Sequence, residues 1–470
     1  MNVMRDVLAS QAALAEKKAK EEEKSREECW RTRFHIMPPA GWLNDPNGLC
    51  QYQGKYYFFF QYAPFSPYGG LKFWGLYTSE DLTDWSYQGI VLYPDSPWDC
   101  HGVYSGSAFT EDGELELFYT GNVKLEGDYD YIDRGREAYV LFTKSRDGEN
   151  YSPKECLMGM EDYPRDYTCH IRDPKVWKEG DRYYMVLGGR KKNSQGAVLV
   201  YSSWDKKKWK YEKEITTSTP FGYMWECPDL FRLQGQQILS VSPQGVPRQE
   251  EAFQNLYASG YFFVEEDTGV EAETFREWDM GFDFYAPQTF RDDKGRRILV
   301  AWASVPDTEK EYGNPTTEQG WQHVLTTPRE LRLEQGKIYQ YPVSEIDSLR
   351  TEEIPVSQRE DIWLEQPCFD LEIEEIDSEE WEIAIEEDCL FSYKDHRAVL
   401  EFTGTLGAGR KARRARIDQV KSLRILADTS LLEIYVNHGE TVFTSRYYPN
   451  RKERQISLKN LSGKVRLFGL

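Results

Sequence analysis

The sequence contains few of the residues that hold metal ions or build disulfide frameworks. Its eight cysteines are scattered and form no C-x-x-C pair, and a chain of 470 residues does not need disulfides to stabilise a core. Its six histidines show neither H-x-x-x-H nor H-E-x-x-H spacing, the arrangements typical of zinc enzymes. We therefore expect reduced thiols and no protein-bound catalytic metal.

Positive charge is also scarce. Lys and Arg number 58 against 79 Asp and Glu, which gives a formal net charge of −21. Such a molecule repels polyanions, so nucleic acids and anionic membranes are poor partners, and an anionic substrate would need a local basic cluster. Residues 1–33 contain no apolar stretch of the length of a signal peptide or membrane anchor. We expect a cytoplasmic protein with neither nucleic acid nor membrane as a partner.

A repeated pattern is what the sequence does contain. A polar turn ending in Gly, followed by a run of aromatic and β-branched residues, occurs five times, at Gly54, Gly113, Gly180, Gly235 and Gly295. Each Gly is expected in the tight turn of a β-hairpin. Five hairpins spaced 55 to 67 residues apart predict five similar sheets arranged radially, as in a five-bladed β-propeller. On spacing alone, an irregular β-sandwich stays an alternative.

Three other patterns complete the predicted architecture. Residues 77–85, 142–151 and 201–209 each join two aromatic positions through a polar turn, as expected of outer strands. After about residue 341, strictly alternating strands such as residues 431–437 predict a separate β-sandwich. Residues 7–28 predict a charged helix, either a solvated extension or an oligomerisation arm. We predict an all-β chain with a helical extension in residues 1–32, a propeller in 33–340 and a sandwich in 341–470.

Acidic residues occupy three of five equivalent positions in the repeat. The residues seven to ten positions before the hairpin glycines are Asp45, Ser105, Asp173, Glu226 and Tyr285, which a propeller would bring to one mouth of its central channel. Neighbouring carboxylates shift each other's pKa values, so that one can act as nucleophile and another as acid, as glycoside hydrolysis requires. A Ca²⁺ site stays an alternative, although no D-x-D-x-D-G loop is present.

The far ends of the returning hairpin strands should reach the same mouth. In four of the five repeats these ends carry Gln61, Asn122, the triplet Arg190, Lys191 and Lys192, and Trp302. Gln and Asn can hydrogen-bond sugar hydroxyls, and Trp can stack on a sugar ring. The basic triplet either binds a phosphate group or is a solvated loop.

Several long motifs carry a resemblance to a known family. They are WLNDPNG (42–48), FQY (60–62), YSGSA (104–108), RDPKVW (172–177), ECPDLF (226–231), FYAPQTF (284–290) and TPREL (327–331). Together they resemble glycoside hydrolase family 32, the invertase and sucrose-6-phosphate hydrolase family, from about residue 33 to 470. The resemblance implies a five-bladed propeller with a C-terminal β-sandwich, and retaining hydrolysis of a β-fructoside without metal or cofactor.

The resemblance also implies roles for individual residues. Asp45 matches the nucleophile, Glu226 the acid/base, and Asp173 the residue that stabilises the transition state through the fructosyl hydroxyls. Implied substrate contacts are Trp42, Leu43, Asn44, Gln61, Tyr104, Ser105, Arg172, Tyr285 and Trp302.

The expected substrate is a small sugar, sucrose 6-phosphate or sucrose. The alternatives are exo-hydrolysis of inulin or levan, fructosyl transfer, and a propeller that binds fructans without cleaving them. The sequence leaves the oligomeric state undetermined.

Overall fold

A computed structural model of the chain describes residues 3–23, 30–265, 269–356 and 361–470. Five sheets follow one another along the chain, and the predicted propeller is confirmed. Blade 1 consists of β1 (Gly41–Tyr52), β2 (Lys55–Ala63), β3 (Phe73–Ser79) and β4 (Ser86–Leu92), and blade 2 of β5 (Val103–Glu111), β6 (Glu114–Lys124), β7 (Arg136–Ser145) and β8 (Glu155–Met158). Blade 3 consists of β9 (Tyr167–Glu179), β10 (Arg182–Lys191), β11 (Gly196–Ser203) and β12 (Lys210–Ile215), and blade 4 of β13 (Met224–Leu233), β14 (Gln236–Gln244), β15 (Gly260–Val264) and β16 (Arg276–Glu277). The segment of blade 5 contains β17 (Tyr285–Arg291), β18 (Arg297–Trp302), β19 (Trp321–Gln322), β20 (Arg329–Glu334) and β21 (Lys337–Pro342).

The blades close into a ring around a central channel. The first strands of successive blades contact one another in the order β1, β5, β9, β13 and β17, and β17 contacts β1 in turn. The short strand β19 leaves blade 5 and pairs in parallel with β1. All five predicted hairpins are present. At the first, Gln53 and Gly54 have φ values of 50° and 79°, as a two-residue type I′ turn requires.

Blades pack on both faces of their neighbours, which explains the near-continuous apolar runs. In β2, alternate residues point to opposite sides. Phe58 and Phe60 pack into the core shared with blade 5, where the Phe58 and Phe290 ring centroids are 5.6 Å apart. Phe59 packs into the core shared with blade 2, together with Tyr119.

A repeated Ser-x-Asp turn joins the third and fourth strands of the first three blades. In each turn the Ser hydroxyl donates to the Asp carboxylate, which accepts backbone N–H groups two and three residues further on. The three pairs are Ser79 with Asp81, Ser145 with Asp147, and Ser203 with Asp205. Each turn lies within a segment predicted to link outer strands, and the side-chain bonds fix its conformation.

The C-terminal strands form the predicted β-sandwich. They are β22 (Glu353–Ile354), β23 (Ile362–Leu364), β24 (Phe369–Glu374), β25 (Trp381–Ile385), β26 (Cys389–Lys394), β27 (Arg397–Phe402), β28 (Ala412–Arg416), β29 (Leu423–Ala427), β30 (Leu431–Val436), β31 (Thr441–Arg446), β32 (Arg454–Lys459) and β33 (Lys464–Gly469). One sheet has the order β22-β33-β24-β29-β30-β31, and the other β23-β32-β25-β26-β27-β28. The domain boundaries drawn at residues 33 and 341 stay predictions; the last propeller strand ends at Pro342.

Helical structure is minor. The α-helix α1 (Val3–Glu23) is mostly exposed, but it buries Leu8 and Ala12, and its Glu16 accepts a hydrogen bond from the Tyr87 hydroxyl of blade 1 at 2.7 Å. The predicted helix thus begins earlier than residue 7 and contacts the propeller, and residues 24–28 lie outside the described residues. No helix in the described ranges has the length and apolarity to cross a membrane. The 3₁₀-helices are Met160–Asp162, Ala272–Thr274, Thr308–Lys310, Pro315–Gln319, Ser344–Leu349 and Asn437–Gly439.

A buried ionic network joins propeller and sandwich. His35, which precedes β1, contacts Asp428 at 2.8 Å and Glu433 at 3.1 Å, and all three side chains are fully buried. Arg329 of blade 5 bridges Glu433 at 2.6 Å and Asp279 at 3.2 Å. Burial opposes the charged imidazolium, but the two carboxylates outweigh this effect and raise the pKa of His35 to about 9.

This network predicts a loss of stability between neutral and alkaline pH. The folded-state pKa of His35 is raised from 6.5 to about 9. Its contribution to the free energy of unfolding is therefore fully present below pH 6.5 and is lost as the pH rises through 9. The contribution is on the order of 3 kcal/mol. The melting temperature of wild type should fall across this range, whereas His35→Gln should be less stable at pH 6 and show a flatter profile.

The matched control is His438→Asn, a change at an exposed histidine with positive φ that Asn tolerates. This variant should retain the wild-type pH profile. Parallel melting curves for wild type and His35→Gln across pH 6 to 9 would show that the network does not titrate as described.

Candidate active site

Every first strand of the propeller carries a β-bulge at the same level of the channel. The ladder with the second strand is interrupted at positions 44–45, 105, 173–174, 227–228 and 286–287. Bulges remove residues from the ladder and redirect their side chains. In four blades a proline lies in the bulge or directly after it, at positions 46, 174, 228 and 287. Proline has no backbone N–H to donate to the ladder, so it is compatible with these interruptions. Asp45, Ser105 and Asp173 lie within the bulges, whereas Glu226 and Tyr285 are the last paired residues before theirs.

Asp45 is held by donors from two other blades. Its Oδ2 accepts a hydrogen bond from Ser105 Oγ at 2.5 Å and lies 3.7 Å from the Cys227 thiol. Its Oδ1 accepts from Asn44 Nδ2 at 3.1 Å. Burial and the nearby charge of Glu226 raise the pKa of Asp45, and these hydrogen bonds oppose that rise. The carboxylate is thus half-buried and fixed in orientation.

Asp173 is the most buried of the three acids. It is 5 % exposed, it has a φ of 65°, and its Oδ2 accepts the backbone N–H of Cys227 at 2.9 Å. Burial, together with the charges of Glu226 and Asp45, raises its pKa to about 7, although Arg172 opposes the rise. The three predicted acids therefore share one electrostatic environment.

Glu226 accepts three strong hydrogen bonds. Arg172 Nη2 donates to its Oε1 at 2.6 Å, while Gln244 Nε2 and the Tyr285 hydroxyl donate to its Oε2, each at 2.7 Å. The Nε of Arg172 also lies 4.0 Å from Asp173. Arg172 thus bridges two of the acids and offsets part of their mutual repulsion.

Asn44 is the centre of a hydrogen-bond network beside Asp45. Its Oδ1 accepts from Lys72 Nζ at 2.9 Å and from Trp42 Nε1 at 3.0 Å. Its Nδ2 donates to Asp45 and to Gln61 Oε1. Burial lowers the pKa of Lys72 to about 7, and the charge of Asp45 opposes this lowering. Since both ends of the amide are occupied, the orientation of Asn44 towards Asp45 is fixed.

Aromatic residues form one wall of the site. The ring of Trp42 lies 5.9 Å from Trp302 and 4.3 Å from His323, and Trp302 lies 6.4 Å from Tyr285, all between centroids. Trp302, Tyr285 and His323 are buried and only Trp42 is partly exposed, so Trp42 is the ring of this wall that can stack on the apolar face of a sugar. Tyr104, which adjoins Ser105, accepts a hydrogen bond at its carbonyl from Trp74.

Two predicted contacts do not face the site. Leu43 is fully buried in the core of blade 1, because strand alternation points it away from Trp42 and Asn44, and we remove its side chain from the expected substrate contacts. Asn122 is also buried and donates to the carbonyl of His101 at 3.1 Å, so it holds a loop.

The basic triplet is divided by the fold. Lys191 forms ion pairs with Glu214 at 2.7 Å and Asp166 at 3.3 Å. The Lys192 amine donates to the carbonyl of Arg165 at 2.7 Å. The Arg190 guanidinium instead lies over the ring of Tyr223.

Within the described ranges, no group of three or more His, Cys, Asp and Glu side chains could hold a metal ion.

Several residues that contact the acids or their partners were not among the predicted site residues, and Gln244 and Lys72 are two of them. Gln244 ends the returning strand of blade 4, so the rule applied to the other four blades would have found it. Lys72 lies in the loop before β3, where a single lysine follows no repeat and gives no signal. Its role depends on contact with Asn44, which only the folded chain creates.

A closed five-bladed propeller with three clustered carboxylates, hydroxyl-binding amides and an aromatic wall defines a glycoside hydrolase. Residues 35–342 match the model for the glycosyl hydrolases family 32 N-terminal domain, and residues 384–469 match that for the family 32 C-terminal domain. The chain belongs to glycosyl hydrolase family 32.

Individual relatives agree with this assignment. The chain is 40 % identical to a sucrose-6-phosphate hydrolase of Bacillus subtilis (strain 168), over 89 % of each chain. It is 35 % identical to a raffinose invertase of Escherichia coli, over 92 % of each. A solved sucrose-6-phosphate hydrolase from Lactobacillus gasseri superposes with a TM-score of 0.86 at 26 % identity, covering 98 % of this chain and 96 % of that one. A Bombyx mori β-fructofuranosidase gives 0.84 at 28 % identity, covering 98 % of each.

The contact between Lys72 and Asn44 predicts a change in pH dependence. At acid pH the Lys72 ammonium favours the charged form of Asp45, so Lys72→Met should raise the pKa of Asp45. The acid limb of the kcat/KM profile on sucrose should move to higher pH. Lys72→Arg retains the charge and should restore the wild-type limb. An unmoved limb in Lys72→Met would show that the ammonium does not act on Asp45.

Proposed function

We propose that this protein is a retaining β-fructofuranosidase that hydrolyses the glycosidic bond of sucrose 6-phosphate and of sucrose. The proposal is carried by one observation: Asp45, Asp173 and Glu226 lie together on the bulged first strands of blades 1, 3 and 4, and Arg172 contacts two of them. Relatives that are sucrose-6-phosphate hydrolases, 35 to 40 % identical over most of the chain, support the substrate class.

In the first step, Asp45 attacks C2 of the fructosyl unit. The bond between C2 and the bridging oxygen breaks, and Glu226 transfers a proton to that oxygen, so the glucosyl unit leaves as an alcohol. The hydrogen bonds from Ser105 and Asn44 hold the Asp45 carboxylate for this attack. The product is a fructosyl ester of Asp45.

In the second step, Glu226 removes a proton from water as the water attacks C2. The ester bond breaks, fructose leaves, and both Asp45 and the protonated Glu226 are regenerated. Asp173 receives hydrogen bonds from fructosyl hydroxyls that strengthen as positive charge develops on the sugar. Its backbone is held by Thr120, whose hydroxyl accepts the Asp173 N–H at 2.8 Å.

The cytoplasmic location remains part of the proposal. A phosphorylated sugar carries charge that an apolar bilayer excludes, so an enzyme that uses it is expected in the compartment where the phosphate is added.

The substrate is tested by measuring kcat/KM of the purified protein on sucrose, sucrose 6-phosphate and inulin, following released fructose. We expect hydrolysis of both disaccharides, with sucrose 6-phosphate preferred by about tenfold or more, which corresponds to about 1.4 kcal/mol. A preference for inulin would identify a fructanase instead. No release of fructose from any of the three would contradict the hydrolase proposal.

The acid/base role predicts a leaving-group effect for Glu226→Gln. On sucrose, kcat should fall by about 10²- to 10⁴-fold because the glucosyl oxygen must be protonated. With an aryl β-fructofuranoside, whose phenolate leaves without a proton, the loss should be smaller. Asp45→Asn is the matched control and should lose activity equally on both substrates. If Glu226→Gln also loses equal activity on both, another group supplies the proton.

A further inference from the structure

A group of positively charged side chains lies on the Glu226 side of the mouth. His170 of β9 is its centre. The Nη1 of Arg172 donates to His170 Nδ1 at 2.9 Å, and the Nε2 of His170 lies 3.0 Å from the carbonyl of Tyr131. Burial and the charges of Arg172, Arg136 and Arg190 lower the pKa of His170 to about 3. The imidazole is therefore neutral; it contacts the guanidinium of Arg172, and the charges of Arg136 and Arg190 also act on it.

Two of these guanidinium groups have no acidic partner among the residues that the structure describes. Arg172 bridges Glu226 and Asp173, but neither Arg136 nor Arg190 forms an ion pair within that part of the chain. The Nε atoms of both are buried without a hydrogen-bond partner. Partly burying an arginine without a carboxylate is unfavourable, and it is unexpected in a chain of net charge −21. Such a cluster is suited to an anion supplied from outside.

Arg136 is fixed beside the catalytic strand β9. It begins β7, where it pairs with Lys124 of β6. In the loop just before it, the carbonyl of Ile132 accepts the N–H of Cys169 at 2.8 Å. The loop that carries Arg136 is therefore attached to the strand that carries Asp173, four residues further along.

Arg190 approaches from the other side of His170. It is the last residue but one of β10, which pairs with β9. Its guanidinium lies 4.7 Å from the centroid of the Tyr223 ring. Tyr223 is joined through its N–H to the carbonyl of Gln244 at 2.8 Å, and Gln244 donates to Glu226. Arg190 thus lies near the acid that protonates the leaving group, and the charge of the same acid acts on Arg136.

We propose that Arg136 and Arg190 form a subsite for a phosphate monoester on the leaving group, the 6-phosphate of the glucosyl unit. Guanidinium groups bind phosphate through paired, charge-assisted hydrogen bonds. Because Glu226 protonates the bridging oxygen, the glucosyl unit leaves on the Glu226 side, where the two arginines lie. Lys191 and Lys192 are not part of the subsite, since both amines already have partners. The inference rests on the proposed function.

The subsite is tested by substituting the arginines and comparing two substrates. Arg136→Met and Arg190→Met retain most of the aliphatic side chain, so packing is preserved. Each should reduce kcat/KM on sucrose 6-phosphate by about 10- to 100-fold, mainly through KM. The loss on sucrose should be much smaller, so that the ratio of the two values falls at least tenfold. Arg136→Lys and Arg190→Lys should recover part of the ratio, because a charge remains.

The matched control is Arg182→Met. Arg182 begins β10 at the end of the strand away from the mouth and pairs with Glu212 at 2.8 Å, so this variant should keep the wild-type ratio. Equal losses on both substrates in the Arg136 and Arg190 variants, with melting temperatures like that of wild type, would overturn the subsite. A ratio that falls equally in Arg182→Met would also overturn it.

A binding measurement separates the subsite from the proposed reaction. Calorimetric titration with glucose 6-phosphate and with glucose requires no catalysis. Wild type should bind the phosphate ester at least tenfold more tightly, and Arg136→Met and Arg190→Met should lose that preference. If wild type cleaves no fructoside but retains this preference, the proposed function fails and the anion subsite stands. If wild type cleaves sucrose but binds both ligands equally, the subsite fails and the hydrolase stands.

Discussion

The structure depends on holding three carboxylates together in one partly buried mouth. Without compensating charges, Asp45, Asp173 and Glu226 would repel one another, and burial removes part of their hydration. Both effects favour the protonated forms of the acids. The raised pKa values of Asp45 and Asp173 result from this burial and repulsion. Arg172 offsets it by contacting two of the acids, and Lys72 contributes from the other side. The charged groups around the acids are therefore as much a part of the site as the acids themselves.

The propeller supplies the rigidity that this arrangement needs. Closure of the ring brings five first strands together, and the bulge at the same level of each strand aims a side chain inward. Side-chain bonds between blades tie the strands together below the mouth: Lys175 pairs with Asp229 at 3.2 Å, and Thr289 donates to the same carboxylate. Carboxylates on such a ring cannot relieve their repulsion by moving apart.

Two fully buried arginines at the junction of propeller and sandwich are also compensated by acids. At the junction of propeller and sandwich, Arg329 bridges two acids and Arg410 pairs with Asp283 at 2.7 Å, and all of these side chains are inaccessible to solvent. Each of these cations has its carboxylate within the protein. Arg136 and Arg190 differ because neither forms an ion pair with an acid among the described residues, although both lie near Glu226. The buried Arg446 and Arg454 also lack an ion pair in the described part of the chain, but their guanidinium groups donate to backbone carbonyls. The absence of both an ion pair and a hydrogen-bond acceptor for Arg136 and Arg190 within that part of the chain is therefore what points to an external anion.

The sequence alone determined the propeller, the sandwich and the position of the three acids, because hairpin turns and alternating apolar residues are local and repeat with the fold. The same repeat would have revealed Gln244, had it been followed into the fourth blade. Other features were decided by the tertiary structure. Lys72 reaches Asn44 from a loop with no repeat, and Leu43 faces the core although it lies within the most recognisable motif. Arg136 and Arg190 come from neighbouring blades, and the charges of both act on His170. These outcomes depend on which residues meet in space and on how charge is compensated there, and neither is written in the spacing of residues along the chain.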